Sequence, residues 1–309
     1  MRDAVVAEIT QLAAKSSDVI VVTGDLGFGV LTEFAERFPD QFINAGVAEQ
    51  NMTALACGMA LEGCKVFTYS IANFSTLRCL EQIRNDVCYH DADVTVISSG
   101  GGFSYGQLGV SHFATEDLAI MRAIPNLSVV APSDPWESAV LLRQMAAVPG
   151  PKYLRLDKSK AGLPATPDDV HLGRSRRVRD GGDVTFFAVG GILREAMAAA
   201  DALAHAGIES RVVAVHSLSP FDPDEVISAA RETGGIVCVE EHRVVGGLGS
   251  AVAQACMTSG VIPKFFRQIG LGEGFPSIVG DQDYLRAAYQ IDAKSIERVA
   301  AEALRGNGG

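Results

Sequence analysis

The feature that most constrains this chain is a repeated switch of period: short β-branched runs end at glycines and are separated by helical patterns of ten or more residues. The first runs from the helical spacing of Val5, Val6, Ile9, Leu12 and Ala13 into "DVIVVTGDLG", which reads as helix, strand and glycine turn. The alternation continues with a helix from about Ala48 to Leu61, a strand at "CKVFTYS", a helix from about Thr76 to Cys88 and a strand at "DVTVISS". A glycine-rich loop "GGGFSYGQLGVSH" follows, then a helix near Glu116 to Ala123, a strand at "SVVAPS", a helix opening at "DPWESAVLLRQM" and a strand at "KYLRLD". Strands joined by helices of this length predict a parallel sheet with right-handed crossovers.

Between about Lys158 and Gly182 the pattern dissolves into Pro, Asp, Ser and Arg, which predicts a linker. A second unit follows, with strands at "DVTFFAVG", "SRVVAVHS", "GIVCVEE" and "PKFFRQIG" and helices at about Leu193 to Ala206, Pro223 to Arg231, Leu248 to Met257 and Ala293 to Leu304. The expected fold class is therefore α/β, with two doubly wound domains over 1–160 and 183–309 and a linker over 161–182.

Of the 309 residues 48% are hydrophobic and 20% charged, a globular balance. The net charge of −11 and the single short basic run "RSRRVR" argue against nucleic-acid binding, and that run is expected to solvate the linker. No uncharged apolar stretch reaches the roughly 18 residues of a membrane span, so a soluble, cytoplasmic protein is expected. Six cysteines without a CxxC pair, mostly in apolar contexts, fit reduced core thiols better than disulfides or zinc.

Glu49 is the residue this pattern explains least. It opens a helix, where the exposed N–H groups favour a negative charge. The same helix, however, places it on one face with Met52, Thr53, Ala56, Met59 and Ala60. A carboxylate on a buried face needs a hydrogen-bond partner, structural or functional.

The stretch "NAGVAEQNMTALACGMALEGCKVFTYS", with "LRCLEQIRNDV" and "GVSHFATEDLAIMRAIPNLSVVAPSDPWES", resembles the pyrimidine-binding domain of transketolases and deoxyxylulose-phosphate synthase. The second half, with "SPFD" and "VEEHRVVGGLGSAVAQ", resembles the C-terminal domain of the same enzymes. The resemblance implies thiamine diphosphate as cofactor. It gives Glu49 the glutamate that hydrogen-bonds N1′ of the aminopyrimidine and drives it to the imino form, whose exocyclic nitrogen removes the thiazolium proton.

It further implies that Phe74 stacks on the pyrimidine, that Asp25 lies near the cofactor and that His112 contacts the donor's hydroxyls. The spacing around Phe74 differs by about one residue from the family pattern, and a core phenylalanine is the alternative; for Asp25 it is an Asx-type turn at the glycine-rich strand end. Arg2 and Lys158 fall at or near phosphate-clamping positions, with solvated surface charge as the alternative. Leu108, Gly29 and Gly100 depart from the family's aspartate, serine and histidine, which leaves the anion of the substrate open. Phe103, Tyr105 and Gln107 are expected to line the donor channel. "GGLGS" lacks the Lys-Ser/Thr ending of a phosphate loop, so tight strand–helix packing is expected there.

No G-D-G motif occurs in the chain. The resemblance then implies that Mg²⁺ and most of the diphosphate grip come from a partner chain carrying G-D-G and a downstream asparagine. The expected protein is the C-terminal subunit of a split transketolase-like enzyme, inactive alone, assembling as a heterotetramer and associating with itself through both domains. Its expected activity is transfer of a two-carbon ketol unit from a ketose-like donor to an aldehyde. The alternatives are a subunit of another thiamine diphosphate enzyme, of the 2-oxoacid dehydrogenase or deoxyxylulose-phosphate synthase kind, and a non-catalytic assembly module.

Overall fold

The computed structural model describes residues 1–306; the last three positions of the expected second domain lie outside the described residues. Two sheets organise it. The first has seven strands, β1 (Val19–Thr23), β2 (Phe42–Asn44), β3 (Lys65–Ile71), β4 (Val94–Ser99), β5 (Ser128–Val130), β6 (Lys152–Leu156) and, from far down the chain, β10 (Ser217–Ser219). The second has five, β7 (Arg176–Arg179), β8 (Val184–Val189), β9 (Ser210–Ala214), β11 (Ile236–Arg243) and β12 (Phe266–Leu271).

The first sheet runs in the order β10-β5-β6-β4-β3-β1-β2, parallel except where β10 meets β5; the second runs β12-β11-β8-β9-β7, parallel except where β7 meets β9. Strands β1, β4, β6 and β8 are buried at every residue. Helices cover both faces of a parallel sheet, so its strands are buried on both sides and are mostly apolar; β6 is the exception, carrying the buried Lys152 and Arg155. One face of the first sheet packs on helices Arg2–Ala13 and Pro135–Ala147, through Val5, Ile9, Leu141 and Met145 against Val21, Phe67 and Leu154. On the other face a continuous cluster runs from Val22, Met52 and Val96 through Val213 and Leu218 to Cys238 and Val252, so the two sheets share core. The cysteines all carry free thiols, and all but Cys64 are buried.

Three expectations change. The run "SRVVAVHS" is not one strand. It breaks after Ala214, and Ser217–Ser219 crosses into the first sheet, pairing Ser217 with Val130. The basic run of the expected linker forms the edge strand β7, whose arginines find acids: Arg176 meets Glu137 at 3.2 Å and stacks on Trp136, and Arg179 meets Asp201 at 2.6 Å. Charged side chains on an edge strand also discourage further pairing. The helix expected over Thr76 to Cys88 is split into Ala72–Thr76, the single turn Leu80–Gln82 and a π-helical turn Ile83–Cys88. Ser75 and Thr76 donate back to the carbonyls of Ile71 and Ala72, a competition with the helical ladder that disturbs regular helix.

At "GGLGS" the first amides of helix Leu248–Thr258 are taken internally. Leu248 and Gly249 N–H donate to the buried Glu240 carboxylate at 2.8 and 2.9 Å, which places an anion of the chain's own at a helix N-terminus.

Candidate active site

The segments that bear the candidate residues leave the first sheet at one edge. Gly24 and Asp25 follow β1, Glu49 comes shortly after β2, Phe74 follows β3, the loop to His112 follows β4 and Lys158 follows β6. Because β2, β1, β3, β4 and β6 are parallel neighbours, these are all carboxyl ends of strands, the edge at which open α/β sheets bind ligands.

Glu49 is 2% exposed at the start of helix Glu49–Leu61. Of the face expected from the spacing, Met52, Thr53 and Ala56 are buried beside it and Met59 and Ala60 are half-buried, while Cys57 is buried as well. Its Oε2 accepts a hydrogen bond from Arg78 at 2.8 Å. A Cβ on Gly24 would lie 3.2 Å from Glu49 Cγ, so a glycine here lets the β1 turn close over the acid. Burial together with the nearby Glu49 charge pushes the Cys79 thiol up to about 11, with a hydrogen bond to Thr53 acting against the shift.

The Arg78 guanidinium also lies over the Phe74 ring, 4.3 Å from its centroid. Phe74 in turn meets His112 edge-on at 5.1 Å between centroids. Asn73 Nδ2 donates to the Ser111 carbonyl at 2.7 Å and Ser111 Oγ lies 3.0 Å from His112 Nδ1, so the turn after β3 holds the far end of the glycine loop. Beyond His112 comes Tyr105, at 6.4 Å, and Lys158 Nζ sits 3.8 Å from the Tyr105 centroid. Burial and the nearby Arg2 guanidinium both lower the Lys158 pKa. Burial raises the Tyr69 phenol, whose hydrogen bonds to Ser99 and Arg2 act the other way. Glu49, Phe74, His112, Lys158 and Arg2 thus lie along one track, linked by Arg78, Tyr105 and Tyr69.

Asp25 does not join that track. Its backbone is left-handed at φ 58°, its Oδ1 accepts from Asn44 Nδ2 at 3.0 Å, and its own N–H donates to Asn44 Oδ1 at 2.9 Å. It lines a separate cavity of about 330 Å³ with Asn44, Leu31 and Phe42. Phe103 is not a channel residue either. It is fully buried, edge-on to Phe113 and stacked on Tyr289 at 5.4 Å. Tyr105 and Gln107 do line a cavity, of about 400 Å³, with Lys158.

A buried carboxylate beside a half-buried aromatic ring, one face of which Arg78 covers, suits a pyrimidine that needs one acid and one stacking surface, so these residues fit thiamine diphosphate. Among the described residues no three His, Cys, Asp or Glu side chains cluster so as to hold a metal ion. No helix of the described residues is long and apolar enough to cross a membrane.

Residues 1–164 match the pyrimidine-binding domain of transketolase and residues 173–296 its C-terminal domain. The chain belongs to the transketolase family. Within it, the chain is the C-terminal subunit type of split thiamine diphosphate-dependent transketolase-like enzymes, holding the pyrimidine-binding and C-terminal domains. It is 34% identical over 98% of its length to the 6-deoxy-6-sulfo-D-fructose transketolase subunit SqwH of Clostridium sp. (strain MSTE9), covering 94% of that protein. It is 35% identical to the 1-deoxy-D-xylulose-5-phosphate synthase of Heliobacterium modesticaldum, aligning over 95% of this chain but 45% of the synthase. A solved split-gene transketolase, described as an inactive β4 tetramer, superposes with a TM-score of 0.87 at 34% identity, over 98% of this chain and 97% of that one.

Arg78 and Tyr69 were given no role by the sequence, although Arg78 stands four residues after Phe74, a spacing that brings side chains together on a helical turn. Tyr69 left no signal, because an aromatic in a buried strand looks like core.

Proposed function

We propose that this chain is the pyrimidine-side subunit of an enzyme that transfers a two-carbon ketol unit from a ketose-like donor to an aldehyde. Bound thiamine diphosphate supplies the electron sink that stabilises the carbanion formed on cleaving the bond beside a ketose carbonyl. Glu49 shares a proton with N1′ of the aminopyrimidine, and its burial keeps water from competing for that hydrogen bond. Phe74 offers its face to the pyrimidine. His112 holds or moves a proton at a donor hydroxyl, a task suited to an imidazole near neutral pH. Arg2 and Lys158 hold the anionic end of a substrate. Asp25 acts indirectly, by pinning through Asn44 the turn that closes over Glu49.

The observation that carries this reading is the contact chain from the buried Glu49 through Arg78 and Phe74 to His112. Mg²⁺ and the diphosphate fall to a partner subunit carrying G-D-G and a downstream asparagine, in a heterotetramer. Val47, Leu77, Leu108 and Val110 are exposed apolar residues around this face and suit such a partner. The exposed side of helix Glu49–Leu61, with Ala54 and Gly58, suits close packing against a second copy.

The test is reconstitution with that partner and an assay of glycolaldehyde-unit transfer beside decarboxylation of pyruvate. Transfer supports the proposal. Decarboxylation without transfer favours the synthase-like or dehydrogenase-like reaction, a second reading to which Leu108, in place of the donor-binding aspartate, lends weight. In the transferring complex Glu49→Ala is expected to cost at least about 100-fold in kcat; an unchanged rate points to an assembly module instead.

A further inference from the structure

The cavity beside Tyr105 is not built by the pyrimidine-binding domain alone. One wall is Ser104 to Leu108 with Lys158, and the other is Gly280, Asp281 and Gln282 from the C-terminal domain. A buried polar hub fixes the two walls together. Glu241 at the end of β11 is 2% exposed, and its Oε1 accepts from Phe103 N–H at 2.5 Å and from Gln282 Nε2 at 2.8 Å. Its Oε2 accepts from the buried Arg286, which also donates to Ser159 Oγ at 2.8 Å, next to Lys158. Gly280 N–H donates to the Gly106 carbonyl at 3.2 Å. The cavity thus has a set width, with the Lys158 ammonium on one wall and the Asp281 carboxylate and Gln282 amide on the other.

We propose that the Asp281–Gln282 edge of the C-terminal domain is a specificity-determining wall of the substrate channel, selecting the distal end of an extended sugar chain. This rests on the ketol-transfer reading of the neighbouring site and names what that reading leaves open. The Gln282 amide, its oxygen not engaged by Glu241, is placed to accept from a distal hydroxyl. The Asp281 carboxylate is an exposed anion on the wall that faces Lys158 across the cavity. A dianionic terminus is therefore held less tightly than the two cations would hold it by themselves, and a singly charged or hydroxylated terminus is penalised less.

Asp281 accepts from Tyr284 N–H at 2.8 Å as a helix cap, and asparagine caps equally well, so Asp281→Asn changes the charge without loss of the cap. Calorimetric titration of the full chain with inorganic phosphate is expected to give about two- to fivefold tighter binding in Asp281→Asn than in wild type, the effect of removing one like charge from the cavity wall in water-like surroundings. In the reconstituted complex the same variant raises kcat/KM for fructose 6-phosphate relative to fructose by a similar factor. Gln282→Ala raises KM for fructose about threefold with little change in kcat, in a variant whose thermal midpoint is measured alongside. Phosphate affinity and donor preference both unmoved in Asp281→Asn would overturn the proposal. A wild-type complex that transfers no ketol unit defeats the reaction assigned to the site, while the phosphate titration still reads the wall.

Discussion

Arg78 holds the two groups a pyrimidine would use, the carboxylate of Glu49 and the face of Phe74. In the chain alone it neutralises a buried acid. Arg78→Ala leaves Glu49 buried with this partner lost, a cost of about 1–2 kcal/mol once the half-exposed arginine is allowed for. In Glu49→Gln the same removal is expected to cost little, so a double-mutant cycle by urea denaturation should show most of the penalty as coupling. Additive losses would mean that the pair contributes nothing. Lys158 carries a pH prediction. Its lowered pKa means that the ammonium loses charge at lower pH than an ordinary lysine near 10.4. KM for an anionic donor should therefore begin to climb at a pH below the ordinary lysine value of about 10.4, and Lys158→Arg, whose side chain stays charged, should flatten that rise.

Among the elements, the glycine loop after β4 does the most positioning. Gly102 has φ +57°, and a Cβ there would lie 2.3 Å from Glu241 Oε1. Gly102→Ala therefore has to strain a left-handed backbone and displace the carboxylate that holds Phe103 N–H. It is expected to destabilise by about 2 kcal/mol or more, read as a shift of the urea midpoint, and to lower ketol transfer by displacing His112. The strand and helix sequence of both units was legible in the chain because buried strands such as β1, β4 and β8 are rich in β-branched residues and each long helix keeps its apolar spacing. The three-residue strands β2 and β10 were not, since their pairing partners rather than their own residues make them strands. Nor was β7, whose arginines read as solvated until Glu137, Glu225 and Asp201 are brought beside them.

At the scale of the whole molecule, β10 ties the second half of the chain into the first sheet, and His216 stands just before it, 1% exposed. Its Nε2 lies 2.9 Å from the His171 carbonyl, and Glu137, Arg176 and Asp222 act on it through their charges. Burial dominates and lowers its pKa below the usual value of about 6.5, with Glu137 the main opposing influence. The folded chain then binds this proton less readily than the unfolded chain. Stability is expected to fall as pH drops below about 6.5, by at most about 1.4 kcal/mol per unit from this group. Urea midpoints at about pH 7.5 and 5.5 check this, and His216→Gln should reduce the difference.

The sequence by itself determined the two α/β units, the burial of the Glu49 face and the family, because period and motif are local properties written in neighbouring residues. Only the tertiary structure decided that Arg78 bridges Glu49 and Phe74, that Asp25 turns to Asn44, that Phe103 is core and that the C-terminal domain supplies a wall of the cavity beside Tyr105. Each of these depends on where parallel strands end relative to one another and on which buried charges must find partners, and both are settled by packing between segments far apart in the chain.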